Sequence, residues 1–281
     1  MAIVNLREVL TDANKRNYAV GCFNTINYES VRGVLEAAEE TRSPVIIGIA
    51  ESQLVDVDLF SIMNIMTYEA KRFSIPIVIH LDHGTTFETI RRAIELGCSS
   101  VMYDGSSLPL EENIKNTKKI VEYAASLNVF VEAEVGEMGS ETKEISLERA
   151  EETDLLLALE FVKHVTVDAL AVSFGTRHGI TSETPKLNIK LLEEIHKKLN
   201  IPLVMHGGSG LRQEDYKCVI KNGIRKINYF SYGYLEVANK IRNLINKSPS
   251  ILYDKISYFS KEAFKEVYKE VMKMFECAGK A

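Results

Sequence analysis

At 281 residues, with 46% hydrophobic and 26% charged residues and no low-complexity tract, the chain has the composition of an ordinary soluble globular protein rather than a disordered or fibrous one. Its formal net charge of −5 has no basic cluster set against it, which argues against a nucleic-acid backbone or an anionic membrane surface as partner. Four scattered cysteines without a C-x-x-C pair (Cys22, Cys98, Cys218, Cys277) read as reduced thiols, and neither a signal sequence nor a run near the ~18 apolar residues of a membrane span is visible, so a cytoplasmic location is expected.

In chain order, "IVNLREVLTDANKRN" predicts a helix ahead of the first strand. Short apolar or β-branched runs then alternate with amphipathic stretches. The runs are "AVGCF" (19–23), "PVIIGIA" (44–50), "PIVIHL" (76–81), "SSVMY" (99–103), "VFVEAE" (129–134), "DALAVSF" (168–174), "PLVMH" (202–206) and "IRKIN" (224–228). Helical patterns such as "YESVRGVLEAAEET", "FETIRRAIELG" and "LNIKLLEEIHKKLN" separate them. Eight such repeats predict an α/β fold, a (β/α)8 TIM barrel formed as one domain over residues 1–281. A long helix in "SPSILYDKISYFSKEAFKEVYKEVMKMFECAGKA" follows the eighth unit. Both extra helices are expected to cover a barrel end or to serve contacts between subunits.

Barrel chemistry gathers where strands end and βα loops begin. At or just past those ends stand Asn24, Asp82 with His83, Asp104, Glu132 with Glu134, His178, His206 and Asn228. A doubly wound open sheet would not draw polar groups from nearly every strand. His83, His178 and His206 come from three different strands, and only a closed barrel brings them together. Three neutral imidazoles with an open fourth position are a catalytic zinc site, and the ion would polarise a substrate oxygen. A single histidine in such a place is more often a hydrogen-bonded strand end; three in equivalent places are not. His164 and His196 fall in helical patterns, facing solvent or a packing seam, and His80 sits deeper as a supporting or core group. Asp82 is placed to move a proton to or from the metal-held substrate, or else to orient a histidine. Glu134 is an alternative metal ligand, whereas Glu132 and Asp104 are expected to form hydrogen bonds around the mouth. "MHGGSG" (205–210) and Gly179 in "GTRHGI" offer backbone N–H groups to an anion, and Asn228 with Ser231 after strand eight would complete a phosphate corner.

The segments "GCFNTIN", "HLDHG", "SVMYDGS", "EAEVG", "DALAVSFGTRHG", "PLVMHGGSG", "KIN" and "AGKA" together resemble the class II, zinc-dependent ketose-bisphosphate aldolases, of fructose- and tagatose-bisphosphate type, over nearly the whole chain. The resemblance implies one catalytic Zn2+ on His83, His178 and His206, with a monovalent cation as a further ion. It implies Asp82 as proton donor toward the aldehyde oxygen, and substrate binding by Asn24, Gly179, Gly207, Gly208, Ser209, Asn228 and Ser231. The implied reaction is reversible cleavage of a phosphorylated ketose to dihydroxyacetone phosphate and an aldehyde through a zinc-stabilised enediolate, in carbohydrate metabolism and glycolysis, by a homodimer or homotetramer.

Three segments depart from the family pattern. "GSETK" (139–143) carries Thr142 where the family has the loop glutamate that exchanges a proton with substrate, leaving Glu141 one residue early as the candidate. "NYFS" (228–231) puts Phe230 where an acidic residue is common, and "GIAES" puts Ala50 in place of a substrate-contacting serine, with Ser52 nearby. These changes surround the acceptor half of the site and predict a less polar partner there. A sugar-phosphate epimerase or isomerase and a noncatalytic sugar-phosphate-binding subunit are the alternative readings.

Overall fold

The computed structural model describes residues 3–136, 152–180 and 185–281. In chain order the elements are α1 (Leu6–Arg16), β1 (Val20–Asn24), α2 (Tyr28–Thr41), β2 (Val45–Ala50), α3 (Leu59–Ala70), β3 (Ile77–Gly84), α4 (Phe87–Glu95), β4 (Ser100–Tyr103), α5 (Leu110–Ser126), β5 (Phe130–Val135), α6 (Leu155–His164), β6 (Ala169–Val172), α7 (Ile189–Lys198), β7 (Leu203–Met205), α8 (Gln213–Lys221), β8 (Ile224–Asn228), α9 (Ser231–Lys247) and α10 (Tyr253–Met274). All eight strands run parallel in sequence order, and β8 pairs with β1 to close the barrel. Helices cover its outer wall, which explains why the strands read as near-continuous apolar runs: they are buried on both faces.

Local chemistry sets the helix limits. The Asn5 and Asn27 side chains accept from backbone N–H groups at the starts of α1 and α2, in capping boxes closed by Glu8 and Ser30. Both helices end on left-handed residues, Asn17 and Arg42, each at φ 52°.

The prefix helix α1 lies across the N-terminal end of the barrel. Val4 N–H donates to Ile77 O at 2.9 Å, Arg7 Nε to Asp168 Oδ1 at 3.0 Å, and Arg225 Nε and Nη2 to Asn14 and Asn17 at 2.9 and 3.0 Å. These partners stand at or just before the starts of β3, β6 and β8. The opposite end, where the strands finish, is therefore the end left for a site.

The long helix α10 packs along α2 instead of capping the barrel. Lys261 Nζ meets Glu36 at 3.1 Å and Lys269 Nζ meets Glu40 at 2.6 Å. At the contact stands Gly33, where a Cβ would lie 2.6 Å from both the Lys261 carbonyl oxygen and the Phe264 Cβ. Alanine ordinarily improves a helix interior over glycine by about 1 kcal/mol. Here Gly33→Ala is expected to cost about 2 kcal/mol by wedging the two helices apart. Urea unfolding reads the result: the midpoint should fall, and an unchanged or raised midpoint would refute the close contact.

One strand differs from expectation in a way that shapes the site. The sequence predicts that β3 ends at residue 81, but it continues to Gly84, which pairs with Tyr103 of β4 after a register shift beyond Leu81. Asp82 and His83 therefore stand inside the strand. No helix among the described residues is long and apolar enough to cross a membrane.

Candidate metal and active site

Consecutive residues of a regular strand face opposite sides of the sheet, so Asp82 and His83 should not share a site. The irregularity between Leu81 and Gly84 removes this conflict. His83 adopts φ 47°, a left-handed backbone that an L residue with a bulky side chain rarely takes, at a cost of about 1 to 2 kcal/mol. The turned backbone brings its ring to 4.5 Å from that of His206 and 5.1 Å from that of His178, centroid to centroid. One nitrogen from each of the three rings lies within 4.8 Å of the others.

The outer hydrogen bonds select which nitrogen faces inward. Asp104 Oδ2 lies 2.8 Å from His83 Nδ1, leaving Nε2 toward the cluster. Glu132 Oε1 lies 2.9 Å from His206 Nε2, leaving Nδ1. That Nδ1 is fully buried and has no hydrogen-bond partner among the described residues, a costly state for a polar atom unless a ligand fills it. A carboxylate behind a ligating imidazole is the usual device for fixing tautomer and ring orientation, and three imidazoles suit zinc. The residues present thus fit a zinc ion. Glu134, whose Oε2 is also buried without a partner, forms a second possible ligand group with His83 and Asp104.

Electrostatics favour a cation at this point. Burial pushes the Glu134 carboxyl well above its ordinary range, and the Asp104 charge adds to that push. Burial lowers His83, but Asp82, Asp104 and Glu134 outweigh it and raise the imidazole to about 10. His178 is driven down to about 3 by burial and by the His83 charge. A metal-free cluster therefore holds one imidazolium among carboxylates, and a bound cation takes over that role.

Asp82 lies beside the cluster, 2% exposed. Its Oδ2 accepts from Asn24 Nδ2 at 2.8 Å and its Oδ1 from Asn228 Nδ2 at 2.9 Å. Burial alone would raise this carboxyl, yet the His83 imidazolium and the Lys226 ammonium hold it well below the carboxylate range. His80 is wholly buried; Ser100 Oγ is 3.0 Å from its Nδ1, and its Nε2 stands 3.9 Å from Asp82 Oδ1.

On the other flank are the glycines. Gly179 and Gly207 sit at φ 90° and 61°, and a Cβ at Gly207 would strike the Arg177 carbonyl at 2.5 Å. Gly208 lies against Ile227 and the Asn228 carbonyl, and Ser209 Oγ accepts from Phe230 N–H at 3.0 Å. Ser231 opens α9, so the positive end of a helix dipole points to this corner. The Phe230 and Tyr234 rings lie 4.2 Å apart, tilted by 41°, and Tyr234 Oη donates to Asn24 O at 3.1 Å, which ties this aromatic pair to the end of β1. Beyond Ala50, Glu51 accepts from Thr85 Oγ1 at 2.9 Å and Thr89 Oγ1 at 2.6 Å, tying the ends of β2 and β3 together.

The structure thus gathers His83, His178, His206, Asp82, Glu134, Asn24 and Asn228 at one end of the barrel. Glu141 and Thr142 lie outside the described residues. His164 and His196 are on α6 and α7, away from the site. Sequence reasoning passed over Lys226, buried inside the barrel and in contact with Glu132 and Asn228. Its signal was a charge two residues before Asn228 in "IRKIN", on the same strand face as that asparagine, whereas the neighbouring Arg225 alternates to the other face.

Comparison with known proteins follows this geometry. A family model described as fructose-bisphosphate aldolase class-II matches residues 4–280. The fructose-bisphosphate aldolase of Staphylococcus aureus (strain Mu50 / ATCC 700699) is 36% identical over 286 residues, covering 100% of each chain. That of Geobacillus stearothermophilus is 37% identical over 286 residues, covering 100% of this chain and 99% of its own. Among solved structures, the crystal structure of the YdjI aldolase from Escherichia coli K12 superposes with a TM-score of 0.88 at 32% identity, over 99% of both chains.

Proposed function

The chain belongs to the class II fructose-bisphosphate aldolase family, and from that premise we propose that it cleaves a phosphorylated ketose reversibly to dihydroxyacetone phosphate and an aldehyde, with zinc as cofactor. The observation that carries this reading is the buried, unpartnered His206 Nδ1 facing His83 and His178, with the Asp82 carboxylate alongside. His83 Nε2, His206 Nδ1 and a nitrogen of His178 would hold the ion, with Glu134 as an alternative ligand. Zinc there supplies Lewis-acid polarisation of the ketose carbonyl, which lowers the cost of the charge that builds as the C3–C4 bond breaks.

The protein's own groups do the rest. Asp82, kept ionised by its neighbours, takes the proton of the C4 hydroxyl during cleavage and returns it to the aldehyde oxygen during condensation. Asn24 and Asn228 hold that carboxylate by both oxygens and line the substrate's path. Gly179, Gly207, Gly208, Ser209 and Ser231 bind the phosphate through close backbone approach and the α9 N-terminus. Glu141 is the candidate for exchanging the proton on the donor carbon. The family reading also carries a homodimer or homotetramer, and exposed Leu252, Tyr253 and Tyr258 leading into α10 are apolar surface that such an assembly would cover.

The test is triose release from fructose and tagatose bisphosphates. Interconversion of the sugars without triose release would favour an epimerase, and binding without turnover a noncatalytic subunit. Phe230, standing where an acidic residue is common in the family, argues for an acceptor half less polar than that of fructose bisphosphate. Phe230→Asp is therefore expected to raise kcat/KM for fructose bisphosphate about tenfold, the value of one added hydrogen bond to a substrate hydroxyl. Equal or lower kcat/KM would remove Phe230 from the specificity argument.

A further inference from the structure

Lys226 is a lysine with no exposure to solvent, on the inner face of β8. A buried ammonium needs acceptors for its three N–H groups. Lys226 Nζ donates to Glu132 Oε1 at 3.1 Å and lies 2.9 Å from Oε2 as an ion pair, but its shortest contact, 2.7 Å, is with Asn228 Oδ1.

Each contact has a consequence farther along. With Asn228 Oδ1 held by a cation, the amide must present Nδ2 to Asp82 Oδ1, where it is found at 2.9 Å. The flipped amide would point its oxygen at a carboxylate and its NH2 at an ammonium, two repulsions in a buried site. On the other side, the ion pair keeps Glu132 an acceptor, so the proton of His206 stays on Nε2 and Nδ1 remains the free nitrogen. The chain His206, Glu132, Lys226, Asn228, Asp82, Asn24 is continuous, and Lys226 is the link between its carboxylate–imidazole end and its amide–carboxylate end.

We infer that Lys226 is a positioning residue that couples the metal-ligand arm to the proton-transfer arm, by orienting the Asn228 amide and the Glu132 carboxylate at once. This rests on the aldolase reading for its catalytic half only. A simple counter-ion for Glu132 would not need the 2.7 Å bond to Asn228.

The test compares the wild-type chain with Lys226→Met, Asn228→Ala, their double variant, and the charge-balanced pair Glu132→Gln with Lys226→Met. Zinc affinity is measured by competition with a chelator, separately from turnover. Lys226→Met is expected to lose about tenfold or more in zinc affinity and about a hundredfold in kcat, in the range for groups that orient ligands. Adding Asn228→Ala to Lys226→Met should cost little further kcat, since the amide has already lost its orientation. Should Lys226→Met fail to fold, the charge-balanced pair decides. It leaves no unpaired buried charge, and kcat and zinc affinity should both stay depressed. Recovery of both to within twofold of wild type would make Lys226 a counter-ion and overturn the inference, as would losses at 226 and 228 that multiply independently. If the wild type shows no aldol cleavage, the functional reading fails by itself and the zinc-affinity arm alone judges Lys226, with unchanged affinity overturning it.

Discussion

Removing zinc from the wild-type chain with a strong chelator is expected to lower aldol cleavage by about a thousandfold or more, and added zinc should restore it. His206→Ala should show the same loss without recovery. The electrophilic stabilisation involved is several kcal/mol, and about 4 kcal/mol corresponds to a factor near 10³. His206 is the severest place to cut. It is fully buried, so no solvent-exposed side chain can take over its position, and the lone pair of its Nδ1 has no partner among the described residues. The Glu132–Lys226 pair remains in the variant, which limits damage to the surrounding barrel and makes the loss specific to the metal. Metal content by atomic emission should fall in step with activity. Full turnover by chelated protein would sink the zinc reading altogether.

Asp82→Asn gives the second large effect. The exchange keeps shape and volume but removes the carboxylate proposed to accept and return the substrate proton, and kcat should fall by 10² to 10⁴, the usual worth of a positioned acid or base. Zinc content should hold, because Asp82 is not one of the three imidazole ligands. The fold pays as well: Asn24 and Asn228 both present NH2 groups to the carboxylate, and an amide at 82 can accept from only one of them. One donor then faces another donor, a loss of about 1 to 3 kcal/mol that a urea midpoint would register. Asp82→Ala separates the two effects, since it removes the clash together with the carboxylate. If Asp82→Asn retained kcat within tenfold, Asp82 would be reduced to a group that orients its neighbours.

Much of the fold was legible in the sequence because each strand of a covered parallel barrel is apolar on both faces and each helix carries its own start and stop residues. Asn27 and Arg42 fix α2 at the residues its pattern predicts. The three histidines were legible for a different reason: they stand near strand ends, and closure of eight strands brings those ends to one side of the barrel. What stayed hidden depends on contacts across the barrel. Strand alternation puts Asp82 and His83 on opposite faces, and nothing in "IVIHLDHG" announces the irregularity that reverses His83. Lys226 drew no reading from the sequence, since its partner Glu132 is 94 positions away in the chain. The division of Glu132 and Asp104 between His206 and His83 likewise follows from packing alone.

The left-handed backbone of His83 sets a conflict between endurance and activity. Glycine at this position would relieve strain but would leave Asp104 without its 2.8 Å imidazole partner, so even in protein without metal the exchange trades one cost for another. On the zinc reading it would also remove one of three ligands, which no gain in backbone freedom replaces. The residue that most strains the strand is thus kept by chemistry, and any effort to harden this protein has to be made with the metal in place.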